Sequence, residues 1–193
     1  MINVQIIFHS GYGHTAKQAD AVFHGFKDQD RIQANLIQID SNGDINEESW
    51  ALIAQAHAIV FGSPTYMGGP SWQFKKFADA SSKAWMQSLW KDKICAGFTN
   101  SGSMNGDKLS TLHYFFTLAM QHGMIWVGTG MQSANTKAAV RNDLNYLGSY
   151  AGAMAQSPVD SSSEEGPLPG DLSTAQQFGA RIADMAIRFH NGL

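Results

Sequence analysis

Three short stretches of this 193-residue chain combine glycine with hydroxyl-bearing residues, and each follows an apolar run. They are Ser10-Gly11-Tyr12-Gly13-His14-Thr15, Ser63-Pro64-Thr65-Tyr66-Met67-Gly68-Gly69 and Thr99-Asn100-Ser101-Gly102-Ser103-Met104-Asn105-Gly106. The first leads into a helical pattern. Free amide N–H groups and the positive end of the dipole at a helix N-terminus favour phosphate. Ser10 and Thr15 can add hydroxyl donors, and Gly11 and Gly13 let the backbone curl around the group. No lysine lies in the loop, so it is not the G-x-x-x-x-G-K-[ST] phosphate loop. A competing reading remains open at this point. Gly11-x-Gly13-x-x-Ala16 also matches a dinucleotide fingerprint, with Asp40 at the end of the second strand where a ribose-binding acid would sit.

The second and third stretches suit a flat, apolar tricyclic ring. Such a ring needs walls on its faces and backbone donors and acceptors along its polar edge. Tyr66 and Met67 offer apolar surface, and the amides around Thr65–Gly69 and Asn100–Gly102 offer the edge. Among the histidines, His14 stands at a helix N-terminus and His122 precedes Gly123 at a helix end, where a histidine can also cap carbonyls. His9, His24, His57, His113 and His190 have no ligand spacing, and no metal site is expected. Cys95 lies within an apolar strand pattern, which reads as inert core.

These loops need a scaffold, and apolar patterning supplies one. Strand-like runs are expected at Val4–Phe8, Ala34–Ile39, Ala58–Phe61, Lys93–Phe98 and Met124–Val127. Between them come helical patterns at Thr15–Lys27, Asn46–Gln55, Ser71–Trp90 and Leu109–His122, with a last one at Thr174–His190. Five apolar strands alternating with helices imply a parallel sheet covered on both faces. In such sheets ligands bind beyond the carboxyl ends of the strands, where all three loops fall. Gly128–Leu172 breaks the rhythm, being rich in Gly, Ser, Asn and Pro. It is expected to be a long irregular insertion, functional or disordered, within a single domain spanning 1–193.

Composition narrows the function classes. The formal net charge is −3 with no basic block, which removes the electrostatic footprint of nucleic-acid binding. The apolar runs are too short for a bilayer span, the N-terminus has no targeting pattern, and a single cysteine fits a reducing compartment. A cytoplasmic location follows as the expectation. Charged residues make up 15%, against about 25% in an average soluble domain, so part of the surface is expected to be covered by a ligand or other subunits.

Four segments, in order, carry a family likeness: Ser-x-x-Gly-His-Thr at 10–15, Gly-Ser-Pro-Thr-Tyr-Met-Gly at 62–68, Thr-Asn-Ser-Gly-Ser at 99–103 and His-Gly-Met at 122–124. With Gln73–Asp79 and the final helix from Asp171, the chain resembles the flavodoxin-like NAD(P)H:quinone oxidoreductases of the WrbA type. The resemblance implies a three-layer sandwich with a five-stranded parallel sheet in order 2-1-3-4-5. It also implies non-covalently bound FMN, NAD(P)H as co-substrate, a quinone as acceptor, and a homodimer or homotetramer. Carried over, Ser10, Tyr12, Gly13, His14 and Thr15 match the phosphate loop. Pro64, Thr65, Tyr66, Met67 and Gly68 match the loop at the reactive edge of the ring, and Thr99, Asn100, Ser101 and Gly102 the loop on its other side. His122 matches a histidine close to the ring and is the candidate catalytic and cofactor-binding residue. Two departures stand out: Tyr66 replaces an arginine found in many members, and Asn105 and Asp107 make the third loop polar. The expected reaction passes a hydride from NAD(P)H through flavin N5 to a quinone, in a two-electron ping-pong sequence. The alternatives are a one-electron carrier of flavodoxin type and, through Gly11, Gly13 and Asp40, a dinucleotide-binding dehydrogenase.

Overall fold

The computed structural model describes residues 1–27 and 29–191. In chain order the elements are β1 (Ile2–Phe8), α1 (His14–His24), β2 (Ile32–Gln38), α2 (Glu47–Ala54), β3 (Ala58–Tyr66), β4 (Gly69–Pro70), α3 (Trp72–Ala80), α4 (Ser82–Met86), β5 (Ile94–Ser101), α5 (Lys108–Gln121), β6 (Ile125–Trp126), β7 (Ala153–Gln156) and α6 (Pro169–Asn191). The sheet runs β2-β1-β3-β5-β6, with β4 paired to β3 and β7 paired to β5. Its five main strands are parallel and follow the expected 2-1-3-4-5 order, and the two short strands are additions.

Alternation along the central strands divides the core in two. Val4, Ile6, Phe8, Val60, Ala96 and Phe98 pack on one face with Ala19 and Val22 of α1 and with Phe178, Ile182 and Ala186 of α6. Ile7, Ile59, Phe61 and Cys95 point the other way, into an aromatic cluster of Phe74, Phe77, Trp90 and Phe115. Strands buried on both faces explain the unbroken apolar runs of the sequence. On the first face, α1 and α6 cross at backbone contact: a Cβ on Gly179 would stand 2.1 Å from the Val22 carbonyl oxygen.

Several boundaries differ from the sequence expectation. β3 runs past Phe61 to Tyr66, through Pro64. The β1 ladder stops at Gly62, while pairing with β5 continues to Pro64 opposite Asn100. Proline is therefore accommodated where one side of the strand has already lost its partner. The expected helix 71–90 divides at Ser81, whose hydroxyl donates to the Ala78 carbonyl at 2.6 Å, and α4 restarts there. The irregular stretch after Gly128 contains β7, and α6 begins at Pro169, earlier than expected.

Candidate functional site

A cleft of about 840 Å³ opens at the carboxyl ends of the strands. It is lined by Tyr12, His14, Thr15, Pro64, Thr65, Tyr66, Met67, Asn100, Ser101, Gly102, Ser103, Gly106, Ser157, Pro158, Val159 and Ser161. Its size falls in the usual range for small-molecule sites. All three candidate loops meet here.

The first loop is organised from within. Ser10 Oγ accepts hydrogen bonds from the Gly13 and Ala16 N–H groups, both at 3.1 Å. Gly13, the N-cap of α1, has φ +90, a turn that costs an L side chain dearly. The first N–H groups of a helix have no intrahelical acceptor. With those of Gly13 and Ala16 taken by Ser10, the amides of His14 and Thr15 are left for a ligand. Both residues line the cleft. His14 Nδ1 is 3.0 Å from the Gly166 carbonyl oxygen and Lys17 pairs with Glu164 at 2.9 Å, which fastens the loop to the 157–166 segment.

In the second loop, β3 turns back through Met67 and Gly68 into β4, pairing Thr65 with Pro70 and Tyr66 with Gly69. Both turn residues have positive φ, +47 and +81, the signature of the primed turns favoured in two-residue hairpins. A methionine held in this conformation is projected fully into solvent. Below it, Thr65 Oγ1 bonds the hydroxyls of Thr99 at 2.8 Å and Thr111 at 2.7 Å. Tyr66 folds towards the first loop, with its hydroxyl over Gly11 and its ring edge-on to Tyr12 at 6.4 Å.

In the third loop, Ser101 Oγ donates to the Ser103 carbonyl at 3.2 Å, and the Lys108 ammonium donates to both groups. β7 carries the next segment alongside: Gln156 donates to the Gly102 carbonyl at 2.8 Å and Ser157 to Asn100 Oδ1 at 3.0 Å. The segment expected to be long and irregular therefore walls the cleft of its own chain.

Some expected residues do not face the cleft. Ser10, Gly13 and Gly68 shape the loops from behind, and Thr99 is buried beneath Thr65. His122 is a correction, since the fold carries it away from the cleft. α5 starts beside Ser101 and runs about 21 Å to the opposite edge of the sheet. There His122 caps it, next to a β6 whose Ile125 pairs with Ile94 at the start of β5. Its ring stacks on Trp90 at 4.1 Å and its Nε2 lies 2.9 Å from Ser81 Oγ. Because the Ser81 proton goes to Ala78, the Nε2–H donates and the buried Nδ1 is left bare. Burial drives its pKa down to about 4. Asp40 is likewise committed locally, its carboxylate accepting from the Asn42 and Asp44 amides at 2.8 Å. Asp40 is exposed and does not line the cleft, which takes away the position that the dinucleotide reading gave its ribose-binding acid.

Residues missed in the sequence are Ser157, Pro158, Val159, Ser161 and Lys108. The hydroxyl-rich run from Ser157 resembles the other loops in composition and was the available signal; a lone lysine behind a loop offers none. Among the described residues no helix is long and apolar enough to cross a membrane, and no cluster of three His, Cys, Asp or Glu could hold a metal.

The profile of the NADPH-dependent FMN reductase family matches residues 14–139, which take in the end of the first loop at His14 and Thr15 and the whole of the second and third. Flavodoxin FldP of Pseudomonas aeruginosa is 47% identical, over 98% of this chain and all of that one. An NAD(P)H dehydrogenase (quinone) of Geobacter sulfurreducens is 28% identical over 98% of this chain and all of that one. Among solved structures, a flavodoxin, WrbA-like protein from Agrobacterium tumefaciens superposes with a TM-score of 0.76 at 46% identity, covering 97% of this chain and 99% of that one. Sheet order, the three-loop cleft and these similarities agree: the chain is a WrbA-type flavodoxin-like protein and belongs to the NADPH-dependent FMN reductase family.

Proposed function

We propose that the cleft holds FMN without a covalent bond and that the protein is an NAD(P)H:quinone oxidoreductase. The observation that carries this reading is the pairing, in one cleft, of a lysine-free helix N-terminus with two further strand-end loops. The donor set suits the group. The His14 and Thr15 amides and the Thr15 hydroxyl take the phosphate, with Ser10 and Gly13 holding the cradle in shape. Pro64, Thr65, Tyr66, Met67 and Gly68 form the loop at the reactive edge. Asn100, Ser101 and Gly102 supply polar contacts on the other side, with Thr99 supporting from beneath, and Tyr12 adds aromatic surface.

When bound, FMN supplies a hydride relay at N5 between NAD(P)H and a quinone, two electrons at a time. The protein's work is orientation and water exclusion. Pro158 and Val159 give the 157–161 wall its apolar surface, and the Tyr66–Tyr12 pair closes the end of the first loop. One open slot for both substrates makes the kinetics ping-pong. Exposed Tyr12, Met67 and Trp72 favour cover by further copies in a homodimer or homotetramer. The reducing cytoplasm, where NAD(P)H is abundant, is the setting.

A one-electron carrier is the second reading, favoured by the name of the 47% identical relative. Releasing the bound ligand by heat and identifying it by chromatography, followed by initial rates with NADH or NADPH and a benzoquinone, separates the two. FMN with parallel double-reciprocal lines is expected for the enzyme. FMN without quinone reduction leaves the carrier, and absence of FMN from purified and reconstituted protein overturns both.

A further inference from the structure

Lys108 is the first residue of α5, and its side chain is fully buried behind the third loop. Its ammonium donates to Ser101 Oγ at 2.8 Å and to the Ser103 carbonyl at 2.6 Å, and both of those residues line the cleft. Among the described residues it has no carboxylate within ion-pairing distance. The charges that act on it are Asp171 and Arg141, which attract and repel it respectively. They are joined to each other in a bidentate pair at 2.6 and 2.7 Å, so their fields largely cancel at a distance. Asp107, its neighbour in the chain, is exposed to solvent. The result is an uncompensated positive charge in a dry wall of an otherwise uncharged cleft. Burying such a charge is costly, and the neutral oxygens it meets offset that only in part. A loop pin alone could be made with a hydroxyl or an amide.

We propose that Lys108 is a positioning residue for redox poise: acting through Ser101 and Ser103, its ammonium stabilises the anionic, reduced form of the flavin over the neutral, oxidised form. The inference rests on the reading of the cleft as an FMN site. Uptake of a hydride from NAD(P)H, two electrons and one proton, leaves the neutral ring with one negative charge and releases NAD(P)+. A fixed positive charge on the polar side favours that product and raises the two-electron potential.

Burial lowers the pKa of Lys108 to about 8, so the charge is itself titratable near physiological pH. Coupling is reciprocal: if the ammonium tightens reduced over oxidised FMN by roughly tenfold, reduction raises the lysine's own pKa by about one unit. The stabilisation is complete well below pH 8 and is lost as pH rises past about 9.

The test is a spectroelectrochemical titration of FMN-loaded wild type, Lys108→Met and Lys108→Arg from pH 6 to 10, alongside fluorescence titration with oxidised FMN. At pH 7 the Lys108→Met potential should lie about 30 mV below wild type, the equivalent of a tenfold shift for two electrons. Lys108→Arg should match wild type at pH 7. By pH 10 wild type should fall to the Lys108→Met curve while Lys108→Arg stays above both. A Lys108→Met curve that coincides with wild type at every pH overturns the proposal and leaves the lysine a loop pin. If Lys108→Met does not fold, wild-type and Lys108→Arg curves that run parallel to pH 10 overturn it equally. A wild type that binds no FMN overturns the reading of the cleft, and this inference with it.

Discussion

At the scale of single residues, the division of labour is between groups that face the cleft and groups that hold them there. Ser10 satisfies two of the four amides that a helix N-terminus leaves open, so Thr15 is left to present an amide and a hydroxyl. Thr15→Val keeps the shape and removes one donor to a dianion. Hydrogen bonds to charged groups are worth roughly 1.5–3 kcal/mol, so FMN affinity should fall about ten- to a hundredfold in a fluorescence titration. His122 illustrates the opposite case. Its neutral ring is locked between Ser81 and Trp90, and its pKa is lowered from 6.5 to about 4 by burial. The unfolded chain therefore takes up this proton first as pH falls. The stability tied to His122 is fully present above pH 6.5 and is lost between 6.5 and about 4, up to roughly 3 kcal/mol. Urea unfolding across that window should be steeply pH-dependent in wild type and flatter in His122→Asn. Equal slopes would mean that the ring is not held neutral.

At the scale of elements, the sequence showed the alternation of strands and helices, the sheet order through its family likeness, and the three loops, because each rests on local signals. Apolar runs identify strands buried on both faces, and Gly-rich ends identify the turns after them. What it hid was set by partners distant in the chain. β3 continues through Pro64 only because β5 pairs with it there. The hairpin at Met67-Gly68 depends on a methionine in a conformation usually left to glycine or asparagine. β7 emerges from a stretch without periodicity because β5 offers it an edge at Phe98–Ser101. His122 was misplaced because a motif records order along the chain and not the direction in which a helix carries its end. The α1–α6 crossing is similarly invisible in the sequence and makes a sharp prediction. Gly179→Ala sets a methyl against the Val22 carbonyl, so the helices must separate. Overpacking of this kind costs about 1–3 kcal/mol, read as a lower urea midpoint with an unchanged slope.

At the scale of the whole molecule, the fold gathers four chain segments, far apart in sequence, at one end of the sheet. The 157–161 segment reaches the cleft because β7 docks beside β5, and His14 and Lys17 fasten it down through Gly166 and Glu164. One end of the resulting cavity offers helix amides and hydroxyls, and the rest offers apolar walls with backbone edges. This polarity fits the proposed seating of FMN, in which the first loop takes the phosphate. The most direct test is a fluorescence titration of the ligand-free protein with FMN and, in parallel, with riboflavin, which has the same ring and lacks the phosphate. The account predicts saturable one-to-one binding of FMN, with riboflavin weaker by at least about a hundredfold, since several hydrogen bonds to a dianion are lost. Equal binding of the two, or no binding of FMN, would contradict it.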